Sequence, residues 1–336
     1  MRRTRETPPT IYDVASLAGL SISTVSRVLN TPGQVNDATR AKVLAAIDQL
    51  GFVPKAEARA RALQGTRRIG VVTPFFTAPS FVQRMRGMHA ALNPTNYELI
   101  IYTVDSLSRL KGYLSTLPLT GNLDGLIVMS LPVADEDAER LLRLQLETVL
   151  IEYHQPGFSS VEIDDMHGGL MAAQYLVERG HRRIAFIGDI DPPDYAIRPV
   201  VSRFEGFRTG LAEAGIDLPE EYVISCEYDQ DDSRQGARML LDLPQPPTAI
   251  FAAADIQAIA VMKVARELGL SIPADLALLG FDDLDIADYV GLTTIRQPLD
   301  DSGRIAVELL MTRMAVPERP SQHVKLPLSI VQRDTV

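Results

Sequence analysis

From Ile69 onward the chain alternates short apolar runs with helix-like stretches, and this alternation limits the possible folds more than any other feature of the sequence. The apolar runs fall at 69–73, 97–104, 123–129, 148–152, 184–187, 249–251 and 276–280. Segments of helical periodicity lie between them, such as 81–92, 167–179 and 256–268, the last two closed by Gly180 and Gly269. Such alternation gives α/β architecture with parallel, doubly wound sheets. Neither G-x-G-x-x-G nor G-x-x-x-x-G-K-[ST] occurs, so dinucleotide or Walker-type phosphate binding has no support. A chain of 336 residues is long enough for two or three domains.

The segment ahead of this body differs in character. Residues 1–68 carry 11 Lys+Arg against 5 Asp+Glu, whereas the remainder carries 22 against 38. The net charge of −10 thus hides a small basic head on a large acidic body, and basic heads usually meet a polyanion. Within the head, Thr10-Ile11-Tyr12-Asp13 has capping-box form, and Ile11, Val14, Ala15 and Ala18 then repeat along one helical stripe. Gly19 can take the positive φ that ends this helix, and Ser21 can cap a second one over roughly 23–30. That second helix turns Val25, Val28 and Leu29 inward and shows Ser23, Thr24, Ser26, Arg27 and Asn30 on its other face. Asn36 caps a third, with Val43, Leu44, Ile47 and Leu50 inward and Gly51 as its stop. Two helices joined by a tight glycine turn and braced by a third form a small all-α helix-turn-helix. Its second helix can lie in a DNA major groove.

Other classes are disfavoured. No run of about 18 apolar residues occurs, so no membrane span is expected. The start, Met1-Arg2-Arg3-Thr4-Arg5-Glu6-Thr7-Pro8-Pro9, has no apolar region behind its basic residues, and a secretory signal is not expected. Cys226 stands alone, which leaves no intramolecular disulfide and no cysteine-cluster metal site, and suits a reducing cytoplasm. Asp282 and Asp283, as neighbours at a strand exit, point opposite ways and cannot form a facing acid–base pair. No catalytic residue, metal site or cofactor is expected.

The run Ser23-Thr24-Val25-Ser26-Arg27-Val28-Leu29-Asn30, within 10–30 as a whole, closely resembles the head of the lactose-repressor (LacI/GalR) family of bacterial transcription regulators. The body continues the resemblance through Ile69-Gly70-Val71-Val72, Leu123-Asp124-Gly125-Leu126-Ile127, Gly180-His181-Arg182-Arg183-Ile184 and Leu279-Gly280-Phe281-Asp282-Asp283, so that it runs from Thr10 to about Arg333. It implies two Rossmann-like subdomains of periplasmic-binding-protein (type I) architecture, joined by three crossovers. The expected divisions are a DNA-binding domain at 1–56, a hinge helix or linker at 57–68, one subdomain at 69–163 plus 297–325, and another at 164–296 plus 326–336.

Carried over residue by residue, the resemblance puts base reading on Ile22, Ser23 and Arg27, and phosphate contacts on Thr10, Tyr12, Ser21, Thr24, Ser26 and Asn30. The chemistry agrees, because a guanidinium can read guanine O6 and N7 together while hydroxyls and amides hold phosphates. The family's hinge helix wedges a leucine into the minor groove. Here that position holds Arg61, with Leu63 two residues later, so either the register shifts or the duplex is bent less. For an effector, the resemblance points to Phe75, Phe76, Ser80 and Phe81 after the first strand, and to Asp105, Asp164, Arg203, Tyr228 and Asp282. A carboxylate, a guanidinium and aromatic faces suit a vicinal diol with an apolar ring face. Asp164 and Asp255 also read as helix N-caps, the preferred reading for Asp255; Ala254 stands where the family often has Asn or Ser; His181 reads as ordering a helix–strand corner. The resemblance implies a cytoplasmic, homodimeric repressor that binds a palindromic operator in double-stranded DNA and answers to a carbohydrate. The alternative is the same kind of regulator answering to a nucleobase or other non-sugar metabolite. A solute-binding transport component, the competitor from another class, would need an export signal and no basic head. No leucine heptads follow the last strand, which implies a dimer rather than a tetramer.

Overall fold

A computed structural model describes residues 9–30, 35–52, 65–191, 193–227 and 229–336. The head consists of α1 (Ile11–Ala18), α2 (Ile22–Asn30) and α3 (Asp37–Leu50). The Thr10 backbone N–H and hydroxyl both donate to the Asp13 carboxylate, at 2.6 and 2.7 Å, so the start of α1 is closed by its own acid. Gly19, at φ +66°, turns the chain out of α1, and the Ser21 hydroxyl accepts from the Thr24 N–H at the start of α2. Val14, Val25, Val28 and Val43 are fully buried where the three helices meet. Each comes from the apolar stripe of its helix.

The body holds two six-stranded sheets. One contains β1 (Arg68–Thr73), β2 (Glu98–Thr103), β3 (Gly125–Met129), β4 (Glu147–Ile151), β5 (Ser159–Glu162) and β11 (His323–Lys325), in the order β2-β1-β3-β4-β5-β11. The other contains β6 (Ile184–Gly188), β7 (Val223–Ser225), β8 (Ala249–Ala252), β9 (Ala277–Asp282), β10 (Thr293–Arg296) and β12 (Ser329–Val331), in the order β7-β6-β8-β9-β10-β12. One plan is therefore used twice. Neighbouring strands run parallel, except that β12 runs against β10. Strands β3 and β9 are buried at every position, as a sheet covered on both faces requires. With the first sheet go α4 (Pro79–Leu92), α5 (Leu107–Thr120), α6 (Asp135–Arg143) and α12 (Leu299–Ala315). With the second go α7 (Asp165–Glu178), α8 (Pro199–Glu213), α9 (Gln230–Leu241), α10 (Asp255–Glu267) and α11 (Asp285–Tyr289). The chain passes between the two lobes after β5, after β10 and again after β11.

Each lobe has one helix pair that meets at glycines. A Cβ on Gly87 of α4 would lie 1.9 Å from the Asp300 carbonyl oxygen of α12, and one on Gly303 would lie 2.0 Å from that of Arg84. The second lobe repeats the arrangement, with Gly206 of α8 against the Met166 carbonyl and Gly169 of α7 against that of Arg203, both at 1.8 Å. In both lobes an arginine sits one turn before the contact glycine, Arg84 before Gly87 and Arg203 before Gly206.

The head rests on the first lobe. Leu119 of α5 is buried and, with Leu144 just beyond α6, joins the head's apolar core. Asp48 of α3 accepts from Arg140 and Arg143, each at 2.5 Å.

Candidate functional site

Two places gather the expected residues. The first is the polar face of α2. Ser21, Ile22, Ser23 and Arg27 are exposed there, Thr24 and Ser26 are half-buried, and Asn30 ends the helix. The Ser21 hydroxyl lies 2.8 Å from those of both Ser23 and Thr24, so three hydroxyls cluster at the helix N-terminus, where unpaired N–H groups already favour an anion. Tyr12 is exposed and Thr10 half-buried beside α1. Arg61 and Leu63 lie outside the described residues.

The second is a cleft of about 420 Å³ between the two sheets, at the C-terminal ends of their strands. Phe75, Ser80, Phe81, Arg203 and Asp282 line it. The expectation fails to bring Phe76, Asp105 and Asp164 into that lining. Phe76 is turned out to solvent, and Asp105 pairs with Arg109 at 2.9 Å. Asp164 caps α7 through the His167 N–H and binds Lys325 at 2.7 Å, which leaves its carboxylate committed to structure. Tyr228 lies outside the described residues. Asp255 is not the N-cap it was expected to be. Ala254 holds that position, and the buried Asp255 carboxylate accepts instead from the Leu284 N–H and the Thr294 hydroxyl, at 2.8 and 2.6 Å. His181 lies 3.1 Å from the Thr248 hydroxyl, and burial lowers its pKa.

The cleft's polar lining forms two arginine-centred groups. Arg203 donates to Asp165 at 2.7 Å and to the Ala253 carbonyl at 2.8 Å, with its guanidinium 3.8 Å from the centre of the Phe281 ring. Arg84 donates to Glu152, to Gln297 at 2.9 Å and to Ser302 at 3.2 Å, and Glu152 also accepts from Ser130. Gln297 then donates to Asp282 at 2.5 Å. A hydrogen-bonded chain therefore runs from one lobe, through the crossover after β10, to the other. Burial pushes the Asp282 carboxyl up to about 6, while Arg203 and Gln297 pull it down. Burial also raises Asp255, and the Asp282 charge adds to that rise.

Sequence reasoning missed Arg84, Ser130, Glu152 and Gln297. A signal for Arg84 was present, because Arg84-Met85-Arg86-Gly87 repeats the Arg-x-x-Gly of Arg203-Phe204-Glu205-Gly206 on a helix whose buried stripe includes Phe81, Met88 and Leu92. Ser130, Glu152 and Asp282 share a further property. They stand at strand exits with left-handed backbone, φ +58°, +63° and +121°, a conformation that costs non-glycine residues on the order of 1–3 kcal/mol each and collects at ligand sites. The loop before α8 reaches across the cleft. Tyr195 packs beside Phe75 with ring centres 6.4 Å apart, and the Ile197 N–H donates to the Ser130 carbonyl at 3.3 Å. Arg86 adds a second tie, binding Asp300 of its own lobe and Asp285 of the other. Among the described residues, no group of three or more His, Cys, Asp or Glu side chains is arranged to hold a metal ion, and no helix is long and apolar enough to cross a membrane.

Residues 10–55 match the family described as bacterial regulatory proteins, lacI family, and residues 173–336 match the periplasmic binding protein-like domain. The chain is 32% identical over 331 residues to the ribose operon repressor of Escherichia coli (strain K12), an overlap of 96% of this chain and 98% of that one. Among solved structures, the complex of the transcriptional regulator CelR with cellobiose superposes with a TM-score of 0.70 at 29% identity, covering 98% of this chain and 100% of that one. A LacI family transcriptional regulator from Enterococcus faecium with bound ribose also reaches a TM-score of 0.70 at 29% identity, covering 80% of this chain and 98% of that one.

Proposed function

This chain belongs to the lacI family of bacterial regulatory proteins, and from that premise we propose that it is a repressor whose grip on operator DNA is set by a small polyol, most simply a sugar, held between its two lobes. One observation carries this reading. Arg203 and Asp282, from two separate elements of the second lobe, line the same cleft as Phe75 and Phe81 of the first. A guanidinium and a carboxylate take the hydroxyls of a sugar, and apolar rings cover its carbon face. Relatives similar over nearly the whole chain carry ribose and cellobiose in their names. We further propose that two copies associate, so that two α2 helices read an inverted repeat in the cytoplasm.

The test is a thermal-shift screen of sugars and nucleobases followed by operator binding. A ligand at a hundredfold excess over Kd should stabilise the fold by about 2.7 kcal/mol. Stabilisation by nucleobases alone would move the reading to a non-sugar effector. Any hit should then alter affinity for a selected inverted repeat, and the direction identifies inducer or corepressor.

Two predictions follow from named atoms. Arg27→Ala is expected to weaken operator binding by roughly 1–3 kcal/mol and to relax preference at one base pair of each half-site. Random-duplex selection with an unchanged base profile would remove Arg27 from readout. The second concerns Asp282, whose carboxyl is raised to about 6 in the free cleft. Polyol hydroxyls donate to its ionised form, so binding goes with loss of a proton, and affinity should fall by about tenfold per pH unit below that value. Calorimetric titrations on either side of pH 6 would check this, and Asp282→Asn should flatten the profile.

A further inference from the structure

We propose that the C-terminal parts of α5 and α6 form a built seat for the head of the same chain, and that Asp48, clamped between Arg140 and Arg143, is the positioning residue that sets the orientation in which α2 meets DNA. The inference rests on the DNA-binding reading above and extends it to a second determinant of operator choice, outside the helix that reads bases.

The seat has an apolar part and a charged part. Leu119, 5% exposed, closes the side of the head's core, in contact with the cluster that holds Val25, Val28 and Ile47. Arg40 of α3 lies over Gly112 of α5, where a Cβ would meet its guanidinium at 3.6 Å. The Asp48 carboxylate receives one hydrogen bond from each arginine, on separate oxygens, both at 2.5 Å. Asp48 is only partly exposed, and Arg140 is 14% exposed and also faces Asp137 at 3.5 Å. Although burial works against it, the paired arginines hold Asp48 below the usual carboxylate range. An aspartate with a guanidinium on each oxygen is restrained in direction as well as distance, unlike a single exposed ion pair.

The seat presents the reading face rather than covering it. Ile22 remains 42% exposed, and Ser23 and Arg27 are also exposed, with the clamp formed. Helix α6 is the first helix after Ser130, whose hydroxyl binds Glu152 in the cleft and whose carbonyl receives the Ile197 N–H from the opposite lobe. The clamp arginines therefore sit on the element that leads directly from the cleft floor. Residues 53–64 join head to body along the chain, and the clamp is a second tie that distinguishes among the orientations open to the head. Seating selects one, and with it the separation at which two heads can reach successive grooves.

The experiment uses the full-length chain. Wild type is taken through random-duplex selection, and its best inverted repeat is then resynthesised with the spacer between half-sites lengthened and shortened by one and two base pairs. Asp48→Arg, the Arg140→Asp/Arg143→Asp pair, and the triple charge swap are titrated against the same series. Wild type should prefer one spacer by about tenfold or more, the two unpaired variants should bind all spacers within about twofold of each other, and the triple swap should restore the preference. Head folding is followed in each variant by amide hydrogen exchange of α1–α3, which the clamp variants should leave protected. Unchanged spacer preference in both clamp variants would overturn the proposal, as would tighter binding by them at every spacer, which would mean that the seat withholds the head. Failure of wild type to select any inverted repeat would instead overturn the DNA-binding reading itself.

Discussion

Gly206→Ala is expected to lower the unfolding free energy by about 3 kcal/mol or more, because the new methyl group would enter a space already filled by peptide backbone. Its Cβ would lie 1.8 Å from the Met166 carbonyl oxygen, with the Leu170 nitrogen 3.1 Å away. Neither atom belongs to a flexible side chain, so relief requires α7 and α8 to move apart over their whole contact. The same shift would pull Arg203 from Asp165 and the Ala253 carbonyl, because its carbonyl oxygen lies against Gly169 on the facing helix. Urea unfolding followed by circular dichroism checks the magnitude. Gly215→Ala provides the contrast, since a Cβ there meets no atom within 4 Å and only the positive φ opposes it. A loss at Gly206 no larger than at Gly215 would show that the helices separate easily.

Arg84→Met should be comparably damaging, at about 3–5 kcal/mol, for an electrostatic reason. The Arg84 and Glu152 side chains are 3% and 7% exposed, so removing the guanidinium strands a carboxylate away from water. Glu152 retains the Ser130 hydroxyl, which cannot neutralise it. Gln297 loses one partner and with it the restraint that aims its amide at Asp282. Removing the second charge as well, in Arg84→Met/Glu152→Gln, should recover much of the stability, because the penalty comes from a lone buried charge rather than from absence of the pair. Effector binding should stay impaired in that double variant. Denaturation midpoints for both proteins, with calorimetry on the ligand found by screening, separate the two effects. If the single variant were as stable as wild type, water must reach Glu152.

The features legible in the sequence are those decided locally. Thr10, Gly19, Ser21, Asn36 and Gly51 act within one turn of their own positions, so the head's helices could be placed from capping and glycine chemistry alone. The apolar composition of β3 and β9 likewise states that they are covered on both faces. Strand β5 hides for the opposite reason. Ser159 and Ser160 are fully buried yet read as loop residues, because their hydroxyls are satisfied by the Gln322 N–H and His323, 163 positions further along. Arg84 is obscured in the same way. Its partners Glu152 and Gln297 stand 68 and 213 residues away, so the repeated Arg-x-x-Gly and the apolar stripe beside it mark a packed position without showing what the guanidinium binds. Asp255 shows local logic being overruled, since a plausible helix cap is drawn off by Thr294 and the Leu284 N–H. Among the expected cleft residues, Phe75, Ser80, Phe81, Arg203 and Asp282 fell into the lining, whereas Phe76 is turned to solvent and Asp105 and Asp164 were claimed by neighbouring cations.

The three passages between lobes bear on how the protein is made. Because β11 and β12 come from the final stretch of chain, a ribosome must release residues beyond 323 before either sheet can close its last edge. Until then the nascent polypeptide carries two unfinished platforms, with β5 and β10 each bare along one side and open to pairing with other chains. A truncation before His323 would therefore leave both sheets without their last edge strand, so that the two halves become incomplete together rather than one at a time.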